Sequence, residues 1–342
     1  ANPLEGQLIE ISLSNLPSLT SLLGLPNRSI ERISLSNLTS LADINLSSST
    51  DINRKSGRLS SISFNNLPKL EYLDISGNKV TDISGLGNLP ELKDVRLSRN
   101  QITDISNLEN APKLRDLRLS ENQITDISAL SNLQDLVLLN ATNNQITDVT
   151  LANLPSLEDL LLNDNVITDI TLDDVTNLEL LDFTNNKVAT ASFNNVSFKS
   201  VSREFFIETR LRASNNQLSD LSFLSELANL EELNLRNNEI VDITPLSSLA
   251  SAVELYLSTN QIVDPSPLRS LVKLQTLFIS ENLIDDIAPL FNDSSWGRAM
   301  NILFIRNNCL DLSEGSDDLA ALQRFTRLDQ YFYTPQKTTC TP

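Results

Sequence analysis

From Leu92 to Asp148 apolar and polar residues alternate in a rhythm that keeps restarting. In the unit ending at Asn100, Leu92, Val95 and Leu97 are apolar, while Asp94, Arg96 and Ser98 are polar. Successive side chains of a strand point to opposite sides, so this alternation predicts a short strand with one buried face. Ile102, Ile105 and Leu108 follow and close the far side of the same core. The unit then repeats: Asn78, Asn100, Asn122 and Asn144 fall 22 residues apart, and the register returns at Asn216, Asn238, Asn260 and Asn282.

One such strand cannot bury its apolar face alone. Neighbouring turns must stack with their strands in parallel, which makes the pattern L-x-x-L-x-L-x-x-N the mark of a leucine-rich-repeat solenoid. Each asparagine falls where the chain leaves the strand and backbone groups would otherwise be buried without partners. An amide donates and accepts at once, so a stacked column of Asn78, Asn100, Asn122, Asn144, Asn165, Asn216, Asn238, Asn260, Asn282 and Asn308 is expected to satisfy those groups. The aspartates of Val-Thr-Asp-Ile and Ile-Thr-Asp-Ile (Asp82, Asp104, Asp126) recur as regularly. They could form a metal-binding edge, but a periodic residue serves the period, and capping of the next backbone turn is the preferred reading.

Taken in order, residues 1–308 read as a solenoid of about 13 turns, and 309–342 as a C-terminal cap. Insertions interrupt the period near 47–58, 187–215 and 291–299. The second carries Phe193, Phe198, Phe205 and Phe206, which are expected to fill the core of a longer turn; a binding loop is the alternative. Leu67-Pro68, Leu89-Pro90, Ala111-Pro112 and Leu154-Pro155 permit only short helical or extended links on the far side, since proline fixes φ and removes a donor. After Asn308, Ser316–Leu328 begins with a serine and two acids and then spaces Leu319, Leu322, Phe325 and Leu328 as a helix does. It predicts a capping helix, with Tyr331–Tyr333 as a closing strand.

Composition narrows the function classes. Over 342 residues the net charge is −18, which argues against nucleic acid or an anionic membrane as partner. The apolar residues are never massed into a run of about eighteen, so no membrane insertion is expected. The opening ANPLEG lacks a basic and then apolar start, which fits a mature secreted chain or a cytosolic one. Cys309 and Cys340 are the two cysteines and flank the terminal segment. A disulfide clamping an end cap, and with it an oxidising compartment, is expected; free thiols are the alternative. With no histidine, the commonest catalytic base and metal ligand is absent. Among eight glycines there is no phosphate-binding loop. Asp173-Asp174, Asp285-Asp286 and Asp317-Asp318 lack the spacing of a calcium loop. A non-enzymatic protein without cofactor or metal is expected.

The candidate contact surface follows from the period, because outward strand positions lie six and four residues before each asparagine. These columns contain an aromatic stripe, Tyr256, Phe278 and Phe304, suited to a protein hot spot or to stacking on a sugar ring. They also contain an apolar patch, Leu138, Leu161 and Leu180, and a charged ladder, Asp94, Arg96, Asp116 and Arg118. Tyr72 and Arg212 complete the set.

Written as N-x-I-T-D-I-S-x-L-x-N-L-x-x-L-x-x-L-x-L-S-x-N, the repeat resembles the bacterial internalin-type leucine-rich repeats of the 22-residue subclass, most closely over Val80–Asn165 and Leu218–Asn282. The resemblance implies an α/β fold shaped as a right-handed horseshoe. A parallel β-sheet would line its concave face, with short 3-10 or irregular segments on the convex face. It further implies a monomeric protein on the bacterial cell surface or secreted, whose concave face recognises a protein or a carbohydrate. An intracellular scaffold of the phosphatase-regulator kind is the alternative, with a cytoplasmic location.

Overall fold

The computed structural model describes residues 9–24, 30–48, 57–199, 207–291, 296–323 and 330–337. The chain divides into two compact units, residues 1–167 with 171–175 and residues 168–170 with 176–342. Each is a parallel-sheet β-solenoid, as the period requires.

In the first unit the short strands are Ser21–Leu23, Asp43–Asn45, Tyr72–Asp74, Asp94–Arg96, Asp116–Arg118, Leu138–Asn140 and Asp159–Leu161. Each pairs in parallel with the next. Their central residues Val95, Leu117, Leu139 and Leu160 are fully buried, as are Ile102, Ile105 and Leu108 on the far side of the core. The far side changes with the local pattern. Where the period is two, as in Ile-Glu-Ile-Ser-Leu-Ser, the segments are extended: Ile9–Ser14, Ile30–Ser36 and Ser61–Asn65 form a three-stranded parallel sheet. Where Asp-Ile-Ser takes over, the chain turns into 3-10 helices at Ser84–Asn88, Ser106–Asn110 and Ser128–Leu130. Oδ1 of Asp82, Asp104 and Asp126 accepts the backbone N–H two residues on, at Ser84, Ser106 and Ser128, each at 2.8 Å. These aspartates therefore cap the turn, as expected.

The second unit repeats the plan with Leu180–Asp182, Arg210–Arg212, Glu232–Asn234, Glu254–Tyr256, Thr276–Phe278, Ile302–Phe304 and Gln330–Phe332. Its far side holds the strand Thr190–Phe198 and 3-10 helices at Ser222–Leu224, Thr244–Ser248, Ser266–Ser270 and Ala288–Phe291. Pro245 and Pro267 occupy the first turn of their helices, where a missing N–H costs nothing.

The cap is the α-helix Asp317–Gln323; the rest of the expected segment, residues 324–328, lies outside the described residues. Ser316 Oγ accepts the Leu319 N–H at 3.3 Å as its cap. Asp318 is buried and ties the helix to the solenoid: its Oδ1 accepts the Ile287 N–H at 2.9 Å and its Oδ2 the Asp311 N–H at 3.0 Å. The expected closing strand is present one residue earlier, at Gln330–Phe332. In the second insertion Phe198 is buried and Phe193 meets Phe223 edge-on at 4.9 Å. Core filling thus accounts for these two, while Phe205 and Phe206 lie outside the described residues. So does Cys340, the expected partner of Cys309.

Candidate functional site

The asparagines form the expected buried columns, within the first unit at Asn78, Asn100, Asn122, Asn144 and Asn165 and within the second at Asn216, Asn238, Asn260, Asn282 and Asn308. Asn122 is representative. Its Nδ2 donates to Leu97 O at 3.1 Å in the preceding turn and to Leu119 O at 2.9 Å in its own, while its Oδ1 accepts the Ile102 N–H at 3.1 Å. The amides thus bind turn to turn rather than face a partner. The residue before each asparagine is left-handed, with φ of 59° at Arg99, 56° at Glu121, 55° at Asn237 and 61° at Thr259.

All twelve candidate contact residues are half-buried, with side chains on the solvent side of the short strands. In the first unit the register sets Asp94 beside Asp116 and Arg96 beside Arg118. Cross-strand neighbours therefore carry like charge, as the two columns of the charged ladder imply. Relief comes within the strand: Arg118 Nε binds Asp116 Oδ1 at 2.9 Å. Arg96 instead lies over the ring of Tyr72, its Cζ 5.5 Å from the centroid. Burial first, and then the charge of Asp74, push the Tyr72 phenol above its ordinary pKa. Leu138 and Leu161 belong to this unit and Leu180 to the other.

In the second unit Tyr256, Phe278 and Phe304 are in register on three successive strands. Their rings stack, with centroids 5.2 Å apart at 23° for the first pair and 4.5 Å apart at 7° for the second. Tyr256 donates its hydroxyl to Glu254 Oε2 at 2.7 Å. Burial and that carboxylate hold its pKa well above the ordinary value. Arg212 Nε binds Glu232 Oε1 at 3.0 Å, and Arg210 Nε reaches Glu232 Oε2 at 3.3 Å.

The family described as Leucine Rich repeats (2 copies) matches residues 68–110, 112–153 and 209–248. The crystal structure of an internalin from Listeria monocytogenes is 27% identical over 79% of this chain and 82% of its own, with a TM-score of 0.50. This chain has a leucine-rich-repeat solenoid fold and is similar to bacterial internalins. A leucine-rich-repeat protein of Leptospira interrogans is 18% identical, with coverage of 95% of this chain and 100% of that one and a TM-score of 0.47. A chain of the LRIM1/APL1C complex is 21% identical over 91% of this chain and 59% of its own, at a TM-score of 0.54, a likeness of fold. No curated protein matches the sequence.

Of two further side chains on this face, Arg236 falls outside the strand columns, while Glu232 stands in them, six residues before Asn238, but is not among the candidate contact residues. Arg236 places its Cζ 4.6 Å from the Tyr256 centroid and 4.7 Å from that of Phe278, straddling the stacked pair. Glu232 gathers both strand arginines. Arg236 lies two residues before Asn238, at the turn, outside the strand positions. A readable signal existed: two residues before the other column asparagines stand Ser76, Ser98, Ser120, Thr142, Asn163, Ser214, Ser258 and Ser280, and only Arg236 and Arg306 depart from small polar residues. The resulting surface offers ring edges and cations to a ligand. Among the described residues no helix is long and apolar enough to cross a membrane.

Proposed function

We propose that this leucine-rich-repeat chain is a non-enzymatic binding module, secreted or displayed on a bacterial surface, that recognises a protein through the solvent side of its short parallel strands. The stack of Tyr256, Phe278 and Phe304 carries this reading. Core packing asks nothing of these positions, yet three successive turns place large apolar rings there in mutual contact. Exposed aromatic clusters flanked by charge are what protein hot spots are made of. A Cys309–Cys340 disulfide, expected from the two cysteines that flank the terminal segment, would fit this reading, because structural disulfides belong to oxidising compartments. A glycan is the weaker choice of ligand, because both faces of the Phe278 ring are covered by its neighbours and sugars stack on faces.

The test is parallel retention of the native chain and a Tyr256→Ala/Phe278→Ala/Phe304→Ala variant on arrays of purified extracellular protein domains and of glycans. Native-only retention on the protein array is expected. Equal retention by both chains would remove the strand face from the reading, and two titratable thiols in the native protein would favour an intracellular scaffold.

A further inference from the structure

The aromatic stack has a cation on either side that pairs with no carboxylate among the described residues. Arg236 straddles Tyr256 and Phe278, and Arg306 stands exposed two residues beyond Phe304. Neither forms an ion pair with a described carboxylate. The acids of the same face are engaged elsewhere: Glu232 holds Arg210 and Arg212, and Glu254 takes the Tyr256 hydroxyl. In a chain of net charge −18, two arginines that pair with no described carboxylate, beside this aromatic cluster, are a local reversal of sign.

The geometry adds direction. A guanidinium laid against rings uses its π-surface there and keeps its N–H groups, which lie in its own plane, for an acceptor. The rings themselves are stacked nearly parallel, so Phe278 shows solvent its edge, the electropositive part of an aromatic ring. Cation and ring edges therefore ask for the same thing, a flat anion with apolar surface beside it. A carboxylate fits the planar fork in two-point contact.

We propose that this face binds a protein segment presenting an Asp or Glu carboxylate next to a large apolar side chain, with the carboxylate on Arg236 and the apolar group against the edges of Phe278 and Phe304. The inference rests on the reading of this face as protein-binding and names the chemistry of its partner. Arg236 acts twice, as the hydrogen-bonding donor and as the side chain that holds Tyr256 and Phe278 in line. Arg306 supplies longer-range attraction from the far end of the stack.

The experiment uses the full chain and a synthetic peptide array in which Asp or Glu is set beside Leu, Met, Phe or Trp. Each peptide is matched by its Asn or Gln counterpart, and uronic-acid and sialic-acid oligosaccharides are printed alongside. Wild type, Arg236→Ala, Arg236→Lys and Phe278→Ala/Phe304→Ala are compared. The expected result is retention of a subset of acidic peptides, weakened about tenfold or more by the acid-to-amide change and by Arg236→Ala, with Arg236→Lys in between because it keeps charge without the planar fork. Rising salt should weaken the acidic peptides and spare their amides. Equal retention of acidic and amide peptides, retention of acidic oligosaccharides alone, or no retention at all overturns the proposal. If the phenylalanine variant loses binding while Arg236→Ala does not, the protein-binding face survives and the carboxylate partner falls. If both variants bind as wild type does, the two readings fall together.

Discussion

Replacing Asn122 by alanine tests the central physical claim about the solenoid. The amide makes three short hydrogen bonds, to Leu97 O, Leu119 O and the Ile102 N–H. The two carbonyls are each shared: Leu97 O also accepts from Asn100 at 2.9 Å, and Leu119 O from Asn144 at 3.1 Å. After Asn122→Ala both keep one donor, and only the Ile102 N–H is left buried with none. An orphaned buried donor costs roughly 1–3 kcal/mol and each lost but compensated bond about 0.5–1.5 kcal/mol, so the substitution should destabilise by about 4 kcal/mol. Asn122→Asp should be worse at neutral pH, because an ionised carboxylate would face two carbonyl oxygens from a buried position. Urea unfolding gives the size of the effect, and amide hydrogen exchange gives its place, since stability in a repeat array is local plus nearest-neighbour. Exchange at Ile102 should accelerate most. A loss below about 1 kcal/mol, or unchanged protection at Ile102, would mean that the column is a by-product of packing rather than a support.

Two further predictions concern single turns. Thr259 is β-branched and left-handed, with φ of 61°, a conformation that penalises branching and suits asparagine. Thr259→Asn should raise stability by about 0.5–1 kcal/mol, and a fall in Tm would count against strain at this site. The Ser106 backbone N–H donated to Asp104, and the Thr244 hydroxyl and N–H donated to Asp242, hold both carboxyls below the usual carboxylate range. With the folded pKa depressed, their contribution is present above the unfolded value of about 4 and is lost as pH falls through the folded value. Asp104→Asn/Asp242→Asn should therefore flatten the acid limb of the stability curve without changing it at pH 7 relative to pH 6. NMR titration midpoints at or above the ordinary carboxylate value would contradict the assignment.

The order of turns, the buried faces, the asparagine columns and the aspartate caps were legible in the sequence. They are consequences of spacing alone: a residue that recurs once per turn meets its own copy in the next turn. Leu92, Val95 and Leu97 could be placed in the core, and Asn100 beneath the turn, before any coordinate existed, because no other arrangement buries one apolar face in every unit. The column rule also placed Tyr256, Phe278 and Phe304 side by side on three strands.

What tertiary structure decided is what spacing cannot rank. Arg99 and Glu121 adopt left-handed φ that neither residue favours, because the buried amide beside them holds the turn in place. Asp94 and Asp116 stand together although their charges repel, since the hydrophobic register outweighs a half-exposed pair and Asp116 is relieved by Arg118 in its own strand. Whether Phe278 would offer a ring face or a ring edge depended on side-chain rotamers in three turns at once. The seat of Arg236 depended on a long side chain reaching back from a turn across two strands. Periodicity assigns each residue to a row; contact across rows, where charge, ring geometry and reach compete, is settled only when the turns are stacked.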